Sequence, residues 1–289
     1  MTDDITLTGE SKADFSDIYT APDPRRYFGT LRPLDYQIPQ RAMPVVEAVL
    51  AASERGGRPR TVLDVCCSYA INATLMRFAV DLDEVGARCT DPARAAWPPE
   101  QVIADDAAFY AGRLRRDLTV LGLDASRPAI DYGLATGLLA GGWAENLEDD
   151  DPSAALADGL RDVGLVVCTG GVGYVGAPTF GRIVDAVADP ADLWLAVFVL
   201  RVFDYDDIAA TLDGYGLVTE QVPGVTFPQR RFADAGEAAA AVADVRARGL
   251  DPTGRESAGW FHADCFVTRP AGVAAATPLA ELLGGRGIG

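Results

Sequence analysis

Thr61-Val-Leu-Asp-Val-Cys-Cys-Ser-Tyr-Ala-Ile-Asn-Ala-Thr-Leu75 reads as a buried strand that runs into a tight turn of small residues and then a helix. Small side chains let the backbone of such a turn approach a ligand closely, and the start of the following helix offers unpaired N–H groups. At the end of the first strand of an α/β sheet, this is where a nucleotide-like cofactor is held. Glycine is absent from the turn: Cys66, Ser68 and Ala70 stand where a glycine-rich sequence is expected.

Outward from this stretch, strand and helix patterns alternate. Residues 118–123 form a second strand ending at Asp124, 143–147 a short third, 165–169 a fourth and 193–202 a fully apolar fifth. Helical patterns follow at 71–78, from Ile130 to Leu139, after Pro152, and at 178–187 and 206–215. Near-continuous apolar strands separated by helices imply a mostly parallel sheet covered on both faces, with ligands at the carboxyl ends of the strands. Residues 217–222 and 261–268 close the chain as strands around an alanine-rich helix at about 235–248. They lack a short crossover, which suggests an antiparallel edge. The expected fold is α/β and Rossmann-like: a mostly parallel seven-stranded sheet with an antiparallel edge strand, a helical N-terminal lead-in and a helical insertion after the first βα unit.

Residues 1–57 read as a polar tail and helical cap, and 58–289 as the ligand-binding domain with its insertion at about 80–116, where Pro92, Pro98 and Pro99 interrupt an Ala-, Arg- and Asp-rich segment. The lead-in carries aromatic and arginine residues. It suits either plain packing over a sheet edge or a lid over the ligand.

Composition narrows the function. The 289 residues are 49% hydrophobic and 23% charged, enough for a large core. A formal charge of −17 argues against a grip on nucleic-acid phosphates. Lys12 is the only lysine, so neither Schiff-base nor P-loop lysine chemistry is expected. Five cysteines without Cys-x-x-Cys spacing fit reduced thiols better than a disulfide framework or a zinc site, and no metal is expected. The acidic start is unlike a signal peptide and no apolar run reaches membrane-spanning length, so a cytoplasmic protein without a membrane partner is expected.

With Asp64 inside the first strand, Asp124 ending the second and Thr169-Gly-Gly-Val-Gly-Tyr-Val175 after the fourth, residues 61–269 resemble the class I S-adenosylmethionine-dependent methyltransferases. The family's first turn reads acidic-x-Gly-x-Gly-x-Gly, and Asp64-Val-Cys66-Cys-Ser68-Tyr-Ala70 aligns with small residues in place of every glycine. The resemblance implies S-adenosylmethionine as cofactor. Asp64 would sit near its methionine end, with Cys66, Ser68 and Ala70 forming the turn beneath. Asp124, with Ala125, would meet the ribose, Asn146 and Leu147 the adenine, and Thr169 and Gly170 the region of the reacting methyl. Tyr69 or Tyr174 would face the sulfonium. Plain roles also suit these residues: Asp124 as a helix cap, Asn146 as part of an acidic capping loop, Tyr174 as a surface side chain.

Tyr174, His262 and Asp204 are the catalytic candidates, with Tyr205, Glu220 and Asp264 as further acid–base groups. Arg201, and Arg230 with Arg231 in an expected loop, are available for a carboxylate. His262 is the only histidine, yet it alternates within a strand pattern that also suits a structural role. Cys66 and Cys67 read as packing rather than redox residues. Two enzymatic readings follow. One is methylation of a small molecule in specialised metabolism. The other is consumption of S-adenosylmethionine itself, closing its aminobutyrate part to azetidine-2-carboxylate and releasing methylthioadenosine. A non-enzymatic partner is a third reading, and the aromatic lead-in suits a homodimer contact.

Overall fold

The computed structural model describes residues 16–55 and 61–284. The expected polar start at about 1–14, most of the Gly/Pro link expected at 53–60 and most of the tail expected at 284–289 lie outside them; residues 53–55 of that link are helical instead.

Two helices precede the sheet. α1 (Arg25–Leu31) buries Tyr27, Phe28 and Leu31. α2 (Ile38–Arg55) buries Ile38, Ala42, Val45, Val46 and Val49, an apolar stripe at helical spacing. β1 (Thr61–Val65) then leads through the quoted turn into α3 (Ile71–Arg77). The insertion is realised as α4 (Leu82–Cys89) and α5 (Pro99–Ala111). They are clasped by the buried Asp106 carboxylate, which takes Arg88 at 2.7 Å and Arg94 at 2.6 Å. Alternation resumes with β2 (Thr119–Asp124), α6 (Arg127–Ala135), β3 (Gly141–Ala144), α7 (Ala154–Leu160), β4 (Leu165–Thr169), α8 (Ala177–Ala186), β5 (Trp194–Leu200) and α9 (Asp206–Asp213). β6 (Leu217–Gln221), β7 (Phe227–Arg231), α10 (Ala235–Ala247), β8 (Trp260–Pro270) and the short α11 (Ala271–Ala276) and α12 (Leu279–Leu282) complete the chain.

The strands run in the order β3-β2-β1-β4-β5-β8-β6, with β7 also pairing β8. β1 to β5 are parallel, and β8 is antiparallel to β5, β6 and β7. This is the Rossmann-like sheet expected, with one strand more. The antiparallel β8 is not the edge: it is paired on both sides. Arg230 and Arg231 stand in β7 rather than in a loop, and Pro228, which cannot donate to a ladder, is what makes that segment read as loop. Alternate residues of each parallel strand feed two cores. Val62 and Val167 face the side of α2 and α3, and Leu63 and Val166 face α7, α8 and α9. Among the described residues, no helix is long and apolar enough to cross a membrane.

The order reverses between β1 and β4, whose helices leave on opposite faces. Loops diverge at such a switch point and open a crevice at the carboxyl ends of the strands. The β1 turn and the β4 loop lie on its two sides.

Candidate functional site

An open cleft of ≈ 1890 Å³ occupies that position, walled by the tips of β1, β2, β4 and β5, the loop after β3, the lead-in and β7. Its floor begins at the first turn. Cys66, Ser68 and Ala70 have φ of 55°, 50° and 60°, the left-handed conformation that favours glycine. The turn keeps the backbone of a glycine-rich sequence without its residues. Cys66 and Ser68 line the cleft, whereas Ala70 faces inward as the cap of α3.

Asp124 fastens this turn to β2. Its Oδ2 accepts the Ser68 N–H and its Oδ1 the Ser126 N–H, both at 2.8 Å. A carboxylate has about four acceptor positions, so capacity is left for a hydroxyl donor in the cleft. Burial raises the Asp124 carboxyl above its ordinary range, and the backbone donors of Ser126, Ser68 and Ala125 oppose this.

Asp64 lies beneath the floor, fully buried. Its Oδ1 accepts from Asn72 Nδ2 at 2.8 Å, and the same amide donates to Thr169 Oγ1 at 3.0 Å. Asn72 therefore stitches the β1 and β4 tips together. Burial pushes the Asp64 carboxyl up to about 7; the Asn72 hydrogen bond opposes this and Asp124 adds to it. Asp64 does not line the cleft. The Cys66 thiol, hydrogen-bonded to Cys168 and buried, is pushed well up, so it is no thiolate nucleophile at neutral pH.

On the β4 side, Thr169, Gly170 and Tyr174 line the cleft. Gly170 and Gly173 have φ of 77° and 105°. Ala125 after β2, and Asn146 and Leu147 in the loop after β3, also line the cleft. Asn146 is engaged locally, donating to Asp149 at 2.8 Å and accepting from the Glu148 N–H at 3.0 Å. Glu148 ties this loop to α8 through the Gly176 N–H at 2.8 Å and Thr179 Oγ1 at 2.7 Å.

The lead-in forms the facing wall, with Tyr19, Tyr27, Tyr36 and Leu31 on the cleft. Burial pushes the Tyr19 phenol well above its ordinary value, and the nearby Tyr174, Tyr36 and Asp124 add to it. Tyr36 is pushed up to about 12, again chiefly by burial. Tyr69, expected at a sulfonium, is instead buried outside the cleft, with its hydroxyl 3.0 Å from Ile18 O and 2.8 Å from Ala21 O. It pins the lead-in onto the first turn.

Of the catalytic candidates, Tyr174 and Asp204 line the cleft and His262 does not. Asp204 caps α9, its Oδ1 accepting from the N–H groups of Tyr205 (2.6 Å) and Asp206 (2.8 Å), which hold its carboxyl below the usual range. His262 sits on β8 with Nδ1 2.9 Å from Thr226 Oγ1. Burial, then Arg255 and Arg201, push it down to about 4, so it is neutral at pH 7. The arginines proposed for a carboxylate are committed elsewhere. Arg201 pairs with Glu256 at 2.8 Å, Arg230 forks onto Glu237 at 2.6 and 2.9 Å, and Arg231 meets Asp35 at 2.6 Å. Glu220 holds Arg269, and Asp264 lies beside Arg201.

Sequence reading missed Asn72, the individual lead-in tyrosines and Gln229. Asn72 was discoverable as a polar side chain in the first turn of α3, directly after the β1 turn. Gln229 was hidden with β7.

No protein-family model matches the chain, and no curated protein matches it. Solved structures similar to it include a TehB-like SAM-dependent methyltransferase from Corynebacterium glutamicum, with 16% identity over 75% of this chain and 86% of that one and a TM-score of 0.36. Magnesium protoporphyrin IX methyltransferase from Synechocystis, with bound SAH, gives 8% identity over 91% and 90% of the two chains and a TM-score of 0.38. A SAM-dependent methyltransferase from Aquifex aeolicus gives 12% identity over 88% and 99%, at a TM-score of 0.36. The likeness is distant. What assigns the fold is this chain's own strand order and the crevice at its switch point.

Proposed function

We propose that this chain, an α/β protein with the class I methyltransferase fold, binds S-adenosylmethionine in the cleft and transfers its methyl group to a small molecule held under the lead-in. Asp124 carries the reading. A carboxylate at the β2 tip, already oriented by backbone donors and with acceptor capacity left, suits the neighbouring hydroxyls of a ribose. The remaining walls fit the rest of that molecule. Leu147 offers an apolar face for adenine, while Ser68, Thr169 and Gly170 surround the amino-acid end, where the buried Ser68 Oγ has no partner among the described residues.

S-adenosylmethionine supplies, when bound, an electrophilic methyl group on a cationic sulfur. The chain's own task is then alignment and exclusion of water. Tyr19 and Tyr174 offer ring faces to a cation beside the first turn. The cleft exceeds the roughly 300–1,000 Å³ typical of a single-ligand site. Its size supports a second molecule beside the cofactor.

One observation favours the cyclising alternative, with azetidine-2-carboxylate and methylthioadenosine as products. Cys66 and Ser68 belong to the cleft lining at the amino-acid end and each carries a Cβ that glycine lacks, and Tyr19, Tyr36 and Tyr174 line the same cleft. Incubating purified protein with S-adenosylmethionine alone separates the readings. Methylthioadenosine above the uncatalysed background supports cyclisation; inertness until an acceptor extract is added supports methyl transfer. A melting temperature unmoved by saturating S-adenosylhomocysteine overturns both.

A further inference from the structure

Gln229 sits at the irregularity in β7, between Pro228 opposite His262 and Arg230 opposite Phe261. It lines the cleft yet is only 4% exposed, and its buried Oε1 has no hydrogen-bond partner among the described residues. The amide is packed against the β4 tip, since Nε2 lies 2.7 Å from where a Cβ on Gly170 would stand. The backbone holds it there: Gln229 O accepts the Gln37 N–H at 2.8 Å, joining β7 to the lead-in. A buried acceptor left unpaired is destabilising, because it has lost water and gained no donor. One carried by a residue of the cleft lining is therefore suited to a donor that arrives with the ligand.

Charge decides what kind of donor. Eight of the residues lining the cleft are acidic and two, Arg127 and Arg230, are basic. Arg230 is closed on Glu237, and Arg127 lies 3.8 Å from Asp131. Tyr19, Tyr27, Tyr36 and Tyr174 add aromatic rings to the lining, a composition that favours cations.

We propose that Gln229 Oε1 accepts a hydrogen bond from an organic ammonium group bound beside the β4 tip. Such a group has two sources, the amino-acid end of the cofactor or an amine acceptor, and the inference rests on the cofactor reading above.

The test uses the full chain as wild type, Gln229→Leu and Gln229→Glu. Each is titrated calorimetrically with S-adenosylhomocysteine and with methylthioadenosine, which lacks the amino-acid end. Each is then titrated with butylammonium after saturation with S-adenosylhomocysteine. Gln229→Leu is expected to weaken one ammonium-bearing ligand by about tenfold or more, as for a lost hydrogen bond to a charged group, with methylthioadenosine unchanged. Gln229→Glu is expected to restore or tighten that ligand, a rescue that a purely packing role does not produce. Loss confined to S-adenosylhomocysteine supports the proposal with the cofactor's own ammonium as source. Loss confined to butylammonium supports it with the acceptor as source. Unchanged affinity in Gln229→Leu, or equal loss of methylthioadenosine in both variants, overturns it. Wild type that binds neither adenosyl compound overturns the cofactor reading, and this inference with it.

Discussion

The two turns that floor the cleft adopt left-handed backbone with opposite residues. After β1, Cys66, Ser68 and Ala70 hold φ of 50–60°; after β4, Gly170 and Gly173 hold 77° and 105°. At the β4 loop, space as well as conformation demands glycine. A Cβ on Gly171 would lie 2.7 Å from Cys168 Sγ and 2.8 Å from both Cβ and Sγ of Cys66, and one on Gly173 would lie 2.6 Å from the Phe203 ring. The side chains of the first turn fill room that glycines leave elsewhere. Cys66 faces Gly171, Cys67 faces Gly122, and Ala70 faces Gly133. Glycine has moved from the turn to its neighbours, while the left-handed cost of about 1–2 kcal/mol per residue remains in the turn.

The pairing of Cys66 with Gly171 is the place to break this comparison. Gly171→Ala meets a Cβ and two sulfur atoms in a packed core, and is expected to cost about 3 kcal/mol, or roughly 5 °C in Tm. In a Cys66→Gly background the same change should cost clearly less, because two of the three close atoms are gone. A double-mutant cycle reads the difference, and additive effects would show that the two turns are packed independently.

Asp64 tests the stitch between the turns. Its folded pKa of about 7 stands above its ordinary 3.8, so the folded state binds its proton more tightly than the unfolded chain does. That contribution to stability is fully present at low pH, is lost as pH rises towards 7, and is flat beyond. Between pH 5.5 and 8, wild type should therefore lose about 2 kcal/mol relative to Asp64→Asn, measured by urea unfolding at each pH. Parallel pH profiles for the two proteins would mean that Asp64 does not titrate there.

Tyr69 gives the first turn a duty that the β4 loop lacks. Tyr69→Phe removes the hydroxyl from between Ile18 O and Ala21 O. The expected loss is about 1.5 kcal/mol, with faster amide exchange at residues 18–21 in the lead-in than in the sheet. An unchanged exchange pattern there would show that Tyr19 and its neighbours hold the lead-in without this bond.

The parallel half of the sheet was legible because its signal is local. Residues 165–169 and the strand ending at Asp124 are short apolar runs whose burial on both faces leaves one reading. β7 was not, because Pro228-Gln-Arg-Arg is polar and its pairing depends on Trp260–Ala263, some thirty residues further on. The same long-range dependence hid the fates of its side chains. Arg230 reads as available for a carboxylate until α10 brings Glu237 to it, and Gln229 carries no signal until β7 folds it against Gly170. Tyr69 failed differently. Its position in the motif was right, but alternation along the turn sent it to the lead-in rather than to the cleft. Local pattern located the crevice, and tertiary contacts chose which side chains enter it.

Ser68 sharpens the comparison with the smallest effect. It combines φ of 50° with an Oγ that is buried and unpartnered among the described residues. Ser68→Gly removes the left-handed cost and the orphaned hydroxyl, against the greater chain entropy that glycine loses on folding. The net expectation is a gain of about 1 kcal/mol and a Tm higher by roughly 2 °C in the absence of ligand. If Oγ contacts the amino-acid end of the cofactor, the further rise produced by S-adenosylhomocysteine must shrink in the same variant, because its affinity falls while the free protein gains. A Tm that does not rise would show that the first turn carries no strain. A Tm that rises with an undiminished ligand shift would show that Ser68 merely substitutes for glycine, which favours methyl transfer over the reading in which this turn reshapes the methionine end.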